Sequence, residues 1–379
     1  MPTESDSVGS EQTCLLTGAV QAPLKPAPPP ARQRERSYAG DRAAYPLITI
    51  GIPTRNRSSL LKVCIESAFA QTYQNIEVLV SDNASTDDTL AVLESMDDSR
   101  LRVLANQQNI GAAENFAQCI RAAKGDYLVL VSDDNSLDPL FLEKCARLIR
   151  LEPGLPIVLA AFDIVVLDEF HESQRRRVPG ALSRKLSTGI WPGTKVLREC
   201  LNGRITAAPL SVVVRSDILR SNHLFSSGYQ CAGDLGWFSA LIEGQAGLIN
   251  ERCAEYLVHD SAISARIPAD DRVREYCRAM ADLSTAMERK IPDSATRNAM
   301  QGLIWRYLAL QIMITLVLYR RAGASFADVV RKLRHWRPIL KRCTLQDFTA
   351  ILRLRSVARI LLPSIVTRWL VALGLDKFA

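Results

Sequence analysis

Two carboxylates stand side by side at Asp133-Asp134, directly after the apolar run DYLVLVS (126–132). Neighbouring carboxylates repel, and each raises the other's pKa unless a cation sits between them. An oxygen-rich group of Asp133, Asp134 and Asn135 suits a hard divalent ion, Mg²⁺ or Mn²⁺, bound with waters and substrate phosphates. A metal–diphosphate is the natural load for such a group. Three other polar clusters also follow apolar runs: Pro53-Thr54-Arg55-Asn56-Arg57, Ser81-Asp82-Asn83, and Asn106 to Gly111. Turn and cap chemistry explains Asp, Asn and Ser at any one of these places, but it explains four in succession poorly. Neither a Walker loop nor a G-x-G-x-x-G turn follows the first run, which argues against ATPase and dinucleotide chemistry.

The elements that must position these clusters are legible from periodicity. LITIGIP (47–53), IEVLVSD (76–82), LRVLA (101–105) and DYLVLVS (126–132) read as strands. Between them, SSLLKVCIESAFAQTY carries apolar residues at helical spacing, Ser85-Thr86-Asp87-Asp88 resembles a capping box before TLAVLESM, and Gly125 stands as a C′ stop after GAAENFAQCIRAAKG. Asp138-Pro139 supplies an N-cap and N1 proline for PLFLEKCARLIRL. Strand and helix alternating through short connections predict a doubly wound, mostly parallel sheet whose ligands lie beyond the carboxyl ends of the strands. A further strand is expected at 156–168, an irregular basic loop over 169–205, strands at 210–215 and 247–259 around a helix near 235–243, and helices alone after about 270.

Three segments follow: a Pro-rich tail over 1–44 expected to lack fixed structure, an α/β domain over 45–270, and a helical, basic region over 271–379. Nine cysteines without a C-x-x-C pair read as free buried thiols in a reducing compartment. No signal peptide is visible, and the longest apolar run, 302–318, is interrupted by Arg306 and Gln311; a cytoplasmic protein, peripheral on the inner face of the membrane, is expected. The net charge of +7 is unevenly spread, with 13 Lys/Arg against 3 Asp/Glu in residues 320–379. Such a tail suits nucleic acid or an anionic surface. Arginines scattered through the apolar segment 345–373, and RKLRHWRPILKR at 331–342, fit a membrane interface, and no nucleic-acid partner is expected. Run 302–318 is open between membrane contact and ordinary packing.

The residues quoted above also carry a resemblance. ITIGIPTRNRSSLLKVCIESAFAQTYQNIEVLVSDNASTDDT, NIGAAENF and KGDYLVLVSDDNSLDP closely resemble the family 2 inverting glycosyltransferases of the GT-A fold, in one register from about 46 to 150. The likeness fades over 169–230 and resumes at GDLGWFSALIEGQAGLINERCAEYLVHDSAIS (233–264). It implies a GT-A-like sheet, a nucleotide-sugar donor, a glycan or lipid-linked acceptor and a divalent cation. Carried over by position, Pro53, Thr54, Asn56 and Arg57 line the base, ribose and diphosphate site, together with Asn109 and Asp133. Asp82 matches the first acid of a D-D-G-S segment that binds the base, whereas Asn83 and Ala84 depart from it. Asp134 matches the usual metal ligand, while Ser132 replaces the first Asp of D-x-D. Asp234 matches the general base, and His259 the histidine of a Y-R-x-H-like segment in which Leu257 replaces arginine.

Each assignment has a plainer alternative. Asp134 could be a solvated turn residue, Asp82 an Asx-turn, Asp234 a helix N-cap, His259 a structural histidine, and Arg55 and Arg57 solvated loop charges. If Asp82 reads a base, its carboxylate only accepts hydrogen bonds; uracil and thymine offer N3–H, so UDP- or dTDP-sugars come first, GDP next and CDP last. A sugar nucleotidyltransferase would need a glycine-rich loop after the first strand, which PTRNR lacks. A non-catalytic, membrane-associated nucleotide-sugar-binding protein is the remaining alternative, against which the intact acids Asp82, Asp133, Asp134 and Asp234 argue.

Overall fold

The computed structural model describes residues 45–167, 175–221, 232–259, 267–321 and 323–340. The Pro-rich tail, the segment 345–373, and Cys14, Cys231 and Cys343 lie outside them.

The run at 47–53 forms β1 (Ile48–Thr54), every residue of which is buried. Burial on both faces is what a parallel strand between two helical layers requires, and it explains an unbroken apolar run where a half-exposed strand would alternate. After β1 come α1 (Ser58–Phe69), β2 (Ile76–Asp82), α2 (Thr89–Glu94), β3 (Leu101–Ala105), α3 (Ala112–Ala122) and β4 (Tyr127–Leu130). All three pairings within β3-β2-β1-β4 are parallel, as expected. The chain continues through β5 (Ser136–Leu137), α4 (Phe141–Leu151), β6 (Ile157–Leu167), β7 (Arg175–Val178), β8 (Gly189–Pro192), α5 (Gly193–Leu201), β9 (Val212–Arg215) and α6 (Ser216–Ser221). A 3-10 helix (Ala232–Ile242) then leads into β10 (Gln245–Val258). The sheet order is β3-β2-β1-β4-β9-β6-β10-β5, with β7 on β6 and β8 on β10. Antiparallel β9 lies between β4 and β6, so β6 and β10 run with the first four strands.

Alternation in β6 shows how the two layers are filled. Ile157 and Leu159 join a core with α3, α5 and the 3-10 helix, while Val158 and Ala160 join a core with α1 and α4. A fully buried aliphatic side chain contributes about 2 kcal/mol, so each layer has ample driving force.

Helices α7 (Ala269–Lys290), α8 (Ser294–Arg321), α9 (Phe326–His335) and α10 (Arg337–Leu340) complete the described chain. Met300, Ile304, Leu308, Ile312 and Leu316 recur every four residues along α8 and are buried with Trp237 and Phe238 of the 3-10 helix. The ring of Phe238 meets Tyr307 edge-on, with centroids 5.6 Å apart. Run 302–318 therefore packs on the sheet's helical layer, the plainer of its two readings. Among the described residues no helix is long and apolar enough to cross a membrane. Trp336, expected beside a membrane surface, is 3% exposed within the same core, and Lys332 is ion-paired with Asp270.

Several local expectations are corrected. Residues 169–205 are not one irregular loop, since β7, β8 and α5 occupy much of the stretch. The helix near 235–243 is a 3-10 helix. No capping box opens α2; Asp87 accepts from the Thr89 amide at 3.1 Å, while Ser85 turns back to Asp82. Asp138 is not the N-cap but stands two residues before it, its carboxylate accepting from the amide of the N-cap Leu140 at 2.9 Å, and α4 starts at Phe141. Gly125 is no left-handed cap, because α3 ends at Ala122 with Ala123 extended. A Cβ at Gly125 would lie 2.6 Å from the Thr49 amide nitrogen, so the glycine is needed for close passage beside β1. The buried cysteines are free thiols as expected: Cys64, Cys119, Cys145, Cys200 and Cys253.

Candidate functional site

The order β3-β2-β1-β4 reverses direction at β1, so the crevice between the carboxyl ends of β1 and β4 is the natural ligand site of this sheet. Proline helps to open it. Pairing of β1 with β2 runs to Thr54 and Asp82, whereas pairing with β4 stops at Gly51 and Leu130. Pro53 has no N–H to extend the second ladder, and β4 departs into the Ser132–Asn135 turn.

Across this gap the strand-end residues meet. Thr54 Oγ1 donates to Asp133 Oδ2 at 2.7 Å. One nitrogen of Arg57, Nη1, lies 3.1 Å from Asp133 Oδ1 and 2.7 Å from Asp134 Oδ2. His259, just beyond the end of β10, places Nε2 at 3.1 Å from the same Asp134 oxygen. Arg57 is thus no solvated loop charge: its side chain is 15% exposed, while Arg55 is exposed. Burial pushes the Asp133 carboxyl up to about 6, a rise that Asp134 reinforces and that Arg57 and the Thr54 hydroxyl oppose. The Cys64 thiol beneath the turn is held well above its ordinary range by burial and then by Asp133 and Asp134, so it is an inert packing group.

The other expected residues build the walls. Asp82 is 1% exposed and accepts from the Ser85 amide, three residues on, at 3.1 Å and from the Ser85 hydroxyl, a local side-chain bond to the turn. Asn56, at φ 54°, accepts the Thr86 amide on Oδ1 at 2.7 Å, and its own amide donates to Ser85 Oγ at 2.9 Å. The loops after β1 and β2 are thereby tied together. Ala84 also has positive φ, 55°, a conformation that favours the glycine of D-D-G-S. Asn109 Oδ1 accepts from Asn83 Nδ2 at 2.9 Å and from the Gly111 amide at 3.0 Å. Asp234 is carried by the 3-10 helix, but its side chain lies outside the described ones.

Two residues act differently from expectation. Asn135 is committed away from the acid pair: its Oδ1 accepts the Leu257 amide at 2.9 Å, tethering the end of β10, and with it His259, to the Asp133-Asp134 turn. Asn115 was not singled out by sequence reasoning. It lies buried on α3, accepts Ser81 Oγ at 2.7 Å, and donates to the carbonyls of Ser81 at 2.9 Å and Thr54 at 3.4 Å. An amide on the apolar side of an amphipathic helix was the available signal.

Among the described residues no group of three His, Cys, Asp or Glu could hold a metal. The donor set still fits an ion that draws most of its ligands from water and phosphate. His259 Nε2 and Arg57 Nη1 both meet Asp134 Oδ2, and the same guanidinium nitrogen meets Asp133 Oδ1, so two carboxylates and an imidazole are gathered on one small patch. The arrangement can therefore receive a metal-bound polyphosphate at a dry, preorganised edge.

Residues 49–202 match Glycosyl transferase family 2. Chondroitin synthase of Escherichia coli is 33% identical over 130 residues, which is 34% of this chain and 19% of that protein. The E. coli UDP-Glc:alpha-D-GlcNAc-diphosphoundecaprenol beta-1,3-glucosyltransferase WfaP is 35% identical over 89 residues, 24% of this chain and 36% of that one. The match thus spans about a fifth to a third of these relatives' length. S. aureus TarS 1-349, crystallised with UDP-GlcNAc, superposes with a TM-score of 0.55 at 15% identity, covering 80% of this chain and 90% of that one. This last likeness shows the shared GT-A fold.

Proposed function

We propose that the protein is an inverting glycosyltransferase, moving a sugar from a UDP- or dTDP-sugar to a hydroxyl of a glycan or lipid-linked acceptor, a reading supported by the match of residues 49–202 to Glycosyl transferase family 2. The observation that carries this reading is the convergence of Thr54, Arg57, Asp133, Asp134 and His259 at the β1/β4 crevice. In this reading the diphosphate lies at that edge, with Arg57 facing it and Pro53, Thr54, Asn56 and Asn109 forming the nucleoside walls. Asp82 keeps acceptor capacity beyond its two bonds to Ser85, because a carboxylate offers about four lone-pair sites. It can take the N3–H of uracil or thymine. The UDP-GlcNAc bound by TarS and the UDP-Glc named for WfaP support a uridine donor.

Asp234 takes the proton from the acceptor hydroxyl, whose oxygen attacks the anomeric carbon on the face opposite the diphosphate. The bond to the diphosphate oxygen breaks, the electron pair leaves with that oxygen, and the sugar is transferred with inversion. A divalent cation, Mg²⁺ or Mn²⁺, would be held by Asp134 with His259, beside Asp133, and supplies positive charge toward the leaving diphosphate. The polyprenyl-diphosphate acceptor named for WfaP and the basic composition of the C-terminal segment support an acceptor at a cytoplasmic membrane face. A thermal-shift panel of nucleotides tests the donor reading. UDP with Mn²⁺ is expected to raise the melting temperature and CDP to raise it less; a preference for CDP would refute the role of Asp82.

A further inference from the structure

A guanidinium nitrogen stands between the two acids of the site. Arg57 Nη1 contacts both Asp133 Oδ1, at 3.1 Å, and Asp134 Oδ2, at 2.7 Å. The two acid side chains are 7% and 9% exposed, so water does little to screen their mutual repulsion. We propose that Arg57 is a resident counter-cation of the Asp133-Asp134 pair, which a divalent ion displaces as the nucleotide arrives, and that this exchange couples metal binding to nucleotide binding. The proposal rests on the donor site described above.

The anatomy of the loop suits an exchange of this kind. Asn56 fixes the backbone next to Arg57 through its bonds with Ser85 and Thr86. Arg57 itself is the N-cap residue of α1 and makes no side-chain cap bond, while its guanidinium reaches across to the two acids. A guanidinium keeps its charge throughout the working pH range, so it leaves the acids only for another anion. Metal entering alone must evict it into water. Metal entering with a nucleoside diphosphate brings phosphates that can receive the guanidinium in bidentate geometry. Bare metal therefore binds weakly, and metal and nucleotide strengthen one another reciprocally.

The test measures Mn²⁺ affinity of the full-length chain by calorimetry, with and without UDP, in wild type, Arg57→Gln, Arg57→Lys and Asp134→Asn. In the absence of UDP, Arg57→Gln is expected to bind Mn²⁺ about tenfold more tightly than wild type, and the factor by which UDP improves Mn²⁺ binding is expected to shrink. Arg57→Lys retains the charge without the planar fork and should fall between them, which decides the matter if the glutamine variant does not fold. Bare-metal affinity no tighter in either variant than in wild type overturns the exchange. If Asp134 dependence survives that result, the metal site stands and only the exchange is lost. Mn²⁺ affinity that ignores Asp134→Asn, or is absent throughout, removes the metal site itself.

Discussion

Asp133 gives the site a measurable electrostatic cost. Its carboxyl is raised from 3.8 to about 6, chiefly by burial. The folded protein therefore holds this proton more tightly than the unfolded chain does. The resulting stabilisation is fully present below the unfolded value and is lost as pH rises through the folded one. A shift of about two units corresponds to about 3 kcal/mol, of which about 2 kcal/mol falls between about pH 4.5 and about pH 7. Asp133→Asn removes the titrating group while keeping a polar side chain against Thr54 and Arg57. The amide can accept from Arg57 and donate to the Thr54 hydroxyl, but both bonds lose their charge assistance, so a pH-independent offset of about 1 kcal/mol is expected as well. Urea unfolding of both proteins across this window separates the two effects, because all other titrating groups are shared. Wild-type stability should fall by about 2 kcal/mol more than that of the variant as pH rises. Parallel curves would show that Asp133 is ionised at no special cost and that the electrostatic picture of the crevice is wrong.

Three other perturbations address separate parts of the site. Asp234→Asn should abolish sugar transfer while leaving UDP affinity within about twofold, since a general base serves the acceptor; a variant with most of its turnover would remove Asp234 from the chemistry. Asn115→Ala strips partners from the buried Ser81 hydroxyl and carbonyl and should cost about 2–3 kcal/mol in urea unfolding. A loss below about 0.5 kcal/mol would contradict its place as the hub joining β1, β2 and α3. The full-length chain should co-sediment with anionic vesicles at low salt, less so at high salt, and a chain ending at residue 340 should not. Equal sedimentation of the two would make the C-terminal segment structural.

The parts of this fold legible in the sequence are those governed by local pattern. The uniform burial of β1 shows as ITIGIPT, and the positions of Thr54, Asp82, Asp133 and Asp134 follow from where apolar runs stop. What sequence did not reveal depends on partners distant in the chain. Asn135 looks like another oxygen beside the acids until β10 arrives from 122 residues away to claim it. Arg57 reads as a loop charge until the fourth strand delivers two carboxylates to it. Ser85 and Asp138 have the right chemistry for caps, yet nearby amides and carboxylates compete for the same bonds and move the helix starts. Strands β7 and β8 contain Arg-Arg-Arg and Trp-Pro, and edge pairing rather than intrinsic preference makes them strands. Arg306 made run 302–318 hard to interpret, but its guanidinium reaches Asn202 Oδ1 at 2.8 Å beside α5 while the apolar face packs inward.

The most direct measurement of the central claim is release of UDP from a UDP-sugar by the purified full-length chain, with Mn²⁺ and a polyprenyl-diphosphate sugar acceptor. The account predicts acceptor-dependent release that falls by about a hundredfold in a folded Asp134→Asn variant. Release that is equal in the two proteins, or a wild type inactive with UDP-, dTDP- and GDP-sugars alike, would contradict it.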